Sequence, residues 1–375
     1  MPIVRPTHDI RPGTPVAELD TPVLLLDLDR FERNARRMWD VMAANGVGWR
    51  PHSKAHKSPE IARMQMAIGA HGVTCAKVSE AEIMVAGGVP SVLIAYEPPL
   101  PVKWERIAAL QAHAEVIACV DAPEHVAMAS AAGVQAGVEV PVLVELEIGM
   151  DRCGIRPGEP ALALAQRVMD APGVRLAGVM GYEGHCLTVW PMEEKIAAVK
   201  GALGQVVETA ELLRSRGIPV GIVSVGGSGS YLQAAHVPGV TELQAGGGCF
   251  VDRFYAEECH LAELGFEFAA TVLASVSGRP TPERAILDSG FKTMSERDTV
   301  KPLPIGLEDA EVVYLSAEHM NLRLGPGARQ LAIGERVEFL LEYSDTTFFR
   351  HDAFVAHRGG VVERIIPIAG RGRLT

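Results

Sequence analysis

The strongest candidate for covalent chemistry is a basic octapeptide, RPHSKAHK, at residues 50–57. It places two lysines and two histidines after a short apolar run and directly before Ser58-Pro59, a typical helix start. A lysine at a strand end, partly desolvated and close to other cations, has a lowered pKa and can form a Schiff base with a carbonyl compound. The spacing alone favours a solvated basic loop over a reactive lysine.

Two glycine-rich segments, VGGSGS at 225–230 and LQAGGG at 243–248, each follow a short predicted strand late in the chain. Glycine permits positive φ, so consecutive N–H groups can turn inward and bind an anion. Two such loops after neighbouring late strands match the phosphate site of (β/α)8 barrels. Each loop by itself is also compatible with an ordinary tight turn.

Two further strand ends carry polar side chains. In IGMDRCG at 148–154, Arg152 is placed to hold an anion or a ring oxygen, or is a surface arginine in a turn. In GYEGH at 181–185, Tyr182 is placed to stack on or hydrogen-bond to a cofactor, or is a tyrosine at the rim. Strand ends of this kind meet at the C-terminal mouth of a barrel, where barrel enzymes build their sites.

The elements that position these residues follow an alternating pattern up to residue 262. Strands separated by crossover helices predict a parallel sheet, and about eight repeats favour a (β/α)8 barrel over 21–262. The predicted barrel strands include Val23–Leu28, Trp49–His52, Gly72–Cys75, Val92–Ala95, Val116–Val120, Val142–Glu147, Val174–Met180 and Gly221–Val225. Beyond residue 263, short strands and turns predict a mainly antiparallel β domain over 263–375. Residues 1–20 form an N-terminal segment that we expect to pack on this β domain.

Composition excludes several classes of protein. The chain has 375 residues, 48% of them hydrophobic, and a formal net charge of −11. An acidic chain without a Lys/Arg block argues against nucleic-acid binding. There is no apolar run of about 18 residues and no apolar leader, so neither a membrane span nor a signal peptide is predicted. Six cysteines without a CxxC pair are typical of free thiols, and we expect a cytoplasmic protein.

The motifs form a recognisable set when they are taken together. DTP at 20–22, RPHSKAHK, CAKVSEA at 75–81, GMDRCG, VGGSGS and ELQAGG occur in this order. Over about residues 18–370, the chain resembles the D-threonine aldolase and D-serine dehydratase family of fold-type III pyridoxal-phosphate (PLP) enzymes. These enzymes are relatives of alanine racemase.

The resemblance implies a PLP-binding barrel, a C-terminal β domain and a homodimer that acts on an amino acid. It makes Lys54 the Schiff-base lysine, rather than Lys57. Arg152 is then near the 3-oxygen of the cofactor ring and Tyr182 near the pyridine nitrogen. His52 supports the ring or the lysine, and His185 is a candidate near the substrate. The implied phosphate cradle consists of Gly227, Ser228, Gly229, Ser230, Gly246 and Gly247.

The chain departs from this family near its C-terminus. A His-x-Asp or His-x-Cys pair of the family holds a divalent metal, of the Mn/Mg type, on the substrate's β-hydroxyl. Here the matching residues are Tyr343 and Asp345. On a strand these two positions face the same side, whereas His351 and Asp352 face opposite sides and are a poor replacement. Tyrosine is a rare ligand for hard divalent ions, which argues against a tightly held metal.

Several activities follow from the resemblance. The leading hypothesis is a lyase that cleaves the Cα–Cβ bond of a D-3-hydroxy amino acid into glycine and an aldehyde. An amino-acid racemase or epimerase with Lys54 and Tyr343 as opposed bases is the main alternative, and Tyr343 also fits a structural tyrosine. A D-hydroxyamino-acid dehydratase is a third hypothesis. A non-catalytic PLP carrier is disfavoured, because a carrier needs no β domain.

Overall fold

The structure, a computed structural model, describes residues 10–296 and 300–375. The strands are β1 (Val23–Asp27), β2 (Gly48–Trp49), β3 (Val73–Cys75), β4 (Ser91–Ile94), β5 (Glu115–Val120), β6 (Val140–Leu146), β7 (Val174–Gly181), β8 (Ile222–Val225), β9 (Glu242–Leu243), β10 (Ala270–Thr281), β11 (Arg284–Leu287), β12 (Leu303–Pro304), β13 (Ala310–Leu315), β14 (Met320–Leu324), β15 (Arg336–Leu340), β16 (Ala353–Arg358) and β17 (Val361–Pro367). The α-helices are α1 (Leu28–Ala44), α2 (Pro59–Ile68), α3 (Val78–Ala86), α4 (Pro101–Leu110), α5 (Pro123–Ala136), α6 (Glu159–Asp170), α7 (Met192–Ser215), α8 (Tyr231–Ala234) and α9 (Ser344–Phe348).

The described residues form two compact units. One comprises residues 35–248 and 372–375, and the other comprises residues 10–34 and 249–371. The domain boundaries expected from the sequence, at 21–262 and 263–375, stay a prediction. Each unit has its own sheet.

The first unit is a barrel of eight parallel strands in the order β2-β9-β8-β7-β6-β5-β4-β3. A parallel bridge between His52 and Thr74 closes the ring, and Ser53 N donates to Thr74 O at 2.7 Å. Its interior is filled by apolar side chains, as in other such barrels. One buried cluster consists of Leu93, Ile117, Cys119, Leu143, Ala177 and Met180. The predicted (β/α)8-type barrel is therefore confirmed.

The crossover helix α2 begins at Pro59, where the sequence predicts a helix start. Proline is the first residue of α2, α4 and α5, where its missing N–H group costs no intrahelical hydrogen bond. Ser58 is the N-cap of α2. The long helix predicted over 192–216 is α7. These helices return each strand to the same end of the barrel, so the strand ends that carry the motifs face one mouth.

The second unit contains a nine-stranded, mainly antiparallel sheet with the path β13-β14-β11-β10-β1-β16-β17. β1 pairs antiparallel with β10 and parallel with β16, so the assignment of Val23–Leu28 to the barrel is wrong. Four of the five residues of β1 are buried. A short apolar run of this kind is compatible with a strand of the parallel barrel and with a strand of the antiparallel sheet, so the sequence pattern does not distinguish them.

Part of the predicted N-terminal segment lies at the edge of this sheet. Gly13 N donates to Val362 O at 2.8 Å, and Val362 N donates to Thr14 O at 2.9 Å. Residues 1–9 of the segment lie outside the described residues. Among the described residues, no helix combines the length and the apolar character needed to cross a bilayer.

Candidate active site

The lysine-containing turn lies directly after β2, at the barrel mouth. His52 N donates to Gln244 O at 2.9 Å and Lys57 N donates to Ser53 O at 2.7 Å, which fixes the turn between two strand ends. Lys54 lies on this turn and is half-buried. Its side chain is therefore carried by a segment that both neighbouring strands hold in place.

The two histidines of the octapeptide each cap the turn that follows them. His52 Nδ1 accepts from Lys54 N at 3.2 Å, and His56 Nδ1 accepts from Ser58 N at 3.1 Å. Burial, then the positive charges of Lys54, Arg152 and Lys57, hold the pKa of His52 well below its usual range. Burial lowers the pKa of His56 to about 3. Both imidazoles are neutral at pH 7, and both use Nδ1 as an acceptor for the backbone.

The two lysines of the octapeptide have different environments. Lys57 is only 8% exposed, and its Nζ donates to Arg373 O at 3.0 Å and lies 3.6 Å from Glu80 Oε2. Glu80 is fully buried and accepts from Ser53 Oγ at 2.7 Å. Burial raises the pKa of Glu80, and the charge of Lys57 opposes that shift. Lys57 therefore compensates the charge of a buried acid, whereas Lys54 is half-buried.

The two glycine loops pack on each other and on the lysine turn. They follow the adjacent strands β8 and β9, and Gly248 N donates to Ser228 Oγ at 2.8 Å. A Cβ at Gly246 would lie 2.4 Å from His52 O, so only glycine fits there. Gly226 has a φ of +85°, the left-handed region that favours glycine. The structure thus joins the loops and the lysine into one assembly.

A buried acid that sequence reasoning missed supports the first glycine loop. Glu183 is fully buried, and its Oε2 accepts from Gly226 N at 3.2 Å while its Oε1 accepts from Ser230 Oγ. Burial raises the pKa of Glu183, and the Ser230 hydrogen bond opposes the shift. The hydroxyl of Ser230 therefore points to the scaffold of the loop. The available signal was the position of Glu183, next to Tyr182 at the end of β7.

Arg152 and Tyr182 meet across the mouth. The Arg152 guanidinium lies 5.4 Å from the centre of the Tyr182 ring, within cation–π range. A Cβ at Gly227 would lie 3.1 Å from Tyr182 Cε2, which places the ring against the first glycine loop. His185 is exposed, and its ring lies beside Gly149 in the Arg152 loop. These residues border the same mouth as Lys54.

Three ligand-type side chains lie beside Arg152. Atoms of Glu97, Glu145 and Cys153 all fall within 4.8 Å of one another. Cys153 Sγ donates to Glu145 Oε1 at 3.1 Å, and Arg152 Nη2 lies 3.6 Å from the same oxygen. Burial and a hydrogen bond to Glu145 raise the pKa of Glu97 to about 8. No motif of the sequence had indicated this cluster.

In the second unit, the residues proposed as a metal pair do not lie on a strand. Tyr343 is the N-cap of α9 and Asp345 is in its first turn, so the prediction that both face one side of a strand is wrong. Residues two apart in a helix do not share a face. The Tyr343 ring lies edge-on to Phe254, with ring centres 5.5 Å apart. His351 Nε2 lies 2.8 Å from Thr293 O.

Comparisons with known proteins agree with this geometry. The family model for the alanine racemase N-terminal domain matches residues 26–253, and the model for a putative serine dehydratase domain matches residues 269–357. The chain is 39% identical over 362 residues to a D-threonine aldolase of Arthrobacter sp., covering 96% of this chain and 95% of that one. It is 34% identical over 369 residues to a 3-hydroxy-D-aspartate aldolase of Paracoccus denitrificans, with the same coverage of 96% and 95%.

A solved structure is similar over nearly the whole chain. The D-threonine aldolase from Filomicrobium marinum superposes with a TM-score of 0.91 at 36% identity, covering 97% of this chain and 99% of that one. The similarity therefore extends across both sequence domains.

Proposed function

This chain belongs to the alanine racemase N-terminal domain family and is a PLP-dependent lyase, and from that premise we propose that it cleaves the Cα–Cβ bond of D-3-hydroxy amino acids. The observation that carries the proposal is the assembly at the barrel mouth, where the Lys54 turn is packed against two glycine loops. The named aldolases among its relatives support the reaction type.

The mouth fits PLP, which needs an amine for its aldehyde and a backbone cradle for its phosphate. The cradle is one that side chains would fill, since a Cβ at Gly246 would collide with His52. When bound, PLP withdraws electrons from a bond at the substrate's Cα and so allows that bond to break. We propose that Lys54 holds the aldehyde carbon.

The remaining residues would hold the other parts of the cofactor. By the family resemblance, Arg152 would lie near the 3-oxygen and Tyr182 near the pyridine nitrogen. Backbone groups of Gly227–Ser230 and Gly246–Gly247 would cradle the phosphate, and the hydroxyl of Ser230 ties its loop to Glu183. His52 orients the lysine turn through Nδ1, and His185 borders the substrate space.

The reaction balances without a co-substrate. The Cα–Cβ bond breaks and its electron pair stays on Cα, which takes up a proton and becomes the methylene carbon of glycine. The β-hydroxyl gives up its proton as Cβ becomes an aldehyde carbon. A base must accept the hydroxyl proton and an acid must deliver one to Cα. We propose Lys54 for proton transfer on its own side of Cα and Tyr343 as the second candidate.

We further propose that no tightly held metal is required. Tyr343 stands where the family resemblance implies a histidine ligand, and Asp345 lies on a helical turn instead of a strand. Activity that collapses with a chelator and returns with Mn²⁺ would contradict this part of the proposal. By the same resemblance we propose a cytoplasmic homodimer.

A product assay tests the function directly. The PLP-loaded protein is incubated separately with D-threonine, D-3-hydroxyaspartate, D-serine and D-alanine. We expect glycine and an aldehyde from at least one of the two 3-hydroxy amino acids with a substituted Cβ. A keto acid with ammonia would indicate a dehydratase, and loss of optical activity alone would indicate a racemase. Turnover of none of the four, with PLP bound, would favour a carrier.

A further inference from the structure

Two carboxyl groups share the space behind Arg152. Glu145 is the penultimate residue of β6, is only 2% exposed, and has Oε1 3.6 Å from Arg152 Nη2. Glu97 follows β4, and one of its carboxylate oxygens lies within 4.8 Å of both Glu145 and Cys153. Neither glutamate lies in a motif that the proposed function uses.

Glu97 and Glu145 each have a buried carboxylate oxygen without a hydrogen-bond donor among the described residues. Glu97 Oε1 and Glu145 Oε2 are both buried, and neither accepts from a donor in the described parts of the chain, 10–296 and 300–375. Two ionised carboxylates have no proton to donate and repel each other. A single proton held between the two carboxyl groups would relieve this repulsion and leave the pair with one negative charge.

That negative charge lies beside the positive charge of Arg152. Arg152 approaches Glu145 Oε1, the same oxygen that accepts from the Cys153 thiol. Burial and the charge of Glu145 raise the pKa of Cys153 to about 12, so the thiol keeps its proton and stays a donor. A divalent ion at this place would lie next to the guanidinium, whose positive charge repels it, so the arrangement favours a proton over a metal.

The loop that carries Arg152 is built around the same glutamate. Ile155 N donates to Glu145 O at 2.9 Å, and Gly154 N donates to Asp121 Oδ2 at 3.0 Å. A Cβ at Gly154 would lie 2.5 Å from Glu147 N, so the loop returns closely onto β6. The backbone of the loop is thereby fixed, whereas the Arg152 side chain is about half exposed and needs a partner to direct it.

We propose that Glu145 is the positioning residue that directs Arg152 into the barrel mouth, and that Glu97 completes it by sharing one proton. This inference rests on the proposed function, because Arg152 is assigned there to the cofactor ring. Glu145 acts only through Arg152 and does not itself touch the cofactor.

Four single variants separate the roles of charge, proton and packing. Glu97→Gln supplies an amide N–H in place of the shared proton, so PLP binding should stay within about twofold of the native protein. Glu97→Ala leaves Glu145 without that donor and should weaken PLP binding. Glu145→Gln keeps the volume but removes the charge that faces Arg152, and Glu145→Ala removes both. We expect Glu145→Ala to weaken PLP binding severalfold, up to about 10-fold, because it removes the ion-pair partner of a half-exposed arginine.

The decisive readout is a double-mutant cycle on PLP affinity, measured by absorbance titration of the apoprotein. If Glu145 acts through Arg152, then Glu145→Ala/Arg152→Ala binds PLP no more weakly than Arg152→Ala alone. Additive losses in the cycle would overturn the proposal. The isosteric Glu145→Gln variant keeps the test valid if the alanine variant fails to fold.

Two further outcomes are distinguishable. Unchanged PLP affinity in Glu145→Ala, with native protein that binds PLP and turns over substrate, would overturn this inference and leave the proposed function intact. Native protein that does not bind PLP would refute the proposed function itself. A metal found by elemental analysis in the native protein, and lost in Glu97→Gln, would overturn the shared proton in favour of a metal site.

Discussion

The two ends of the barrel hold buried carboxyl groups in opposite ways. At the N-terminal end of the strands, Glu242 Oε1 lies 3.0 Å from Arg50 Nε and its Oε2 lies 3.0 Å from His71 Nε2. Burial opposes its charge, but the hydrogen bonds and charges of His71 and Arg50 win and lower the pKa of Glu242 to about 2. At the C-terminal mouth, burial and Glu145 raise the pKa of Glu97 to about 8.

The difference follows from what each end does. At the N-terminal end, Arg50 and His71 both pair with the buried Glu242, and these pairings stabilise the fold. At the mouth, the two glutamates share one proton in our proposal, so they place one negative charge beside Arg152 instead of two. Barrel proteins divide stability and chemistry between their two ends in this sense. Variants at the mouth should therefore change activity, and variants at the other end should change stability.

The largest expected effect is at the mouth. Lys54→Ala removes the amine that would hold the cofactor, and we expect kcat/KM for aldehyde formation to fall roughly 1,000-fold or more. The thermal midpoint should change little, because the side chain is only half-buried. The product assay and a melting curve measure the two effects. Full activity in this variant would place the chemistry elsewhere.

The next effect is at the opposite end. Glu242→Gln leaves the buried Arg50 guanidinium without its anion, and we expect the free energy of unfolding to fall by about 3–5 kcal/mol at pH 7. The folded fraction should keep its kcat within about twofold. Urea unfolding measures the first quantity, and the aldehyde assay measures the second.

The dependence of unfolding free energy on pH below about 4.3 tests the Arg50–Glu242 pair. A lowered pKa in the folded state means that the stabilisation is present above the unfolded pKa of about 4.3 and is lost as the pH falls toward about 2. Native protein should therefore lose stability relative to Glu242→Gln over that interval. Parallel curves for the two proteins would show that the Arg50–Glu242 pair contributes no net stability.

The mouth should show the opposite slope. Because the pKa of Glu97 is raised, its stabilising proton is present below the unfolded pKa and is lost as the pH rises toward about 8. Glu97→Gln cannot lose that proton, so its stability relative to the native protein should increase between pH 5 and pH 8. The charged and titratable groups around Glu97 are present in both proteins. They are Asp121, Glu145, Arg152 and Cys153. A stability difference independent of pH would argue against the shared proton.

The smallest effect is expected at the exposed rim of the N-terminal end. Arg175 Nη2 lies 2.9 Å from Glu115 Oε1, and both side chains are 45% exposed. Exposed ion pairs contribute little, so Arg175→Gln should change the free energy of unfolding by about 0.2–1 kcal/mol. The same urea assay provides the measurement. If Arg175→Gln lowered the free energy of unfolding as much as Glu242→Gln does, burial would not determine how much an ion pair contributes to stability.

The parts of the site that the sequence predicted are those with strong backbone requirements. The glycine loops and the lysine turn follow strand ends in a fixed order, and a parallel barrel brings such ends together. Gly246 illustrates the reason, because its backbone must lie against His52 and tolerates no side chain. Arg152 and Tyr182 were predicted by the same logic. In the structure the Arg152 guanidinium lies 5.4 Å from the centre of the Tyr182 ring.

The parts that the sequence did not predict depend on contacts between residues far apart in the chain. β1 is apolar on both faces, so its pattern fits either sheet. The strand expected through Tyr343 and Asp345 from the family resemblance is replaced by the short helix α9. Glu97 follows β4 and Glu145 is the penultimate residue of β6, and only the assembled barrel brings their carboxyl groups close together. Nothing local in either segment announces such a pairing.

The central claim is that Lys54 is the residue that holds the cofactor, and one measurement tests it most directly. The PLP-loaded protein is reduced with borohydride, digested, and the modified peptide is sequenced by mass spectrometry. The account predicts a stable cofactor adduct on Lys54, with Lys57 unmodified against Glu80. An adduct on Lys57, or no adduct on either lysine in protein that has bound PLP, would contradict it.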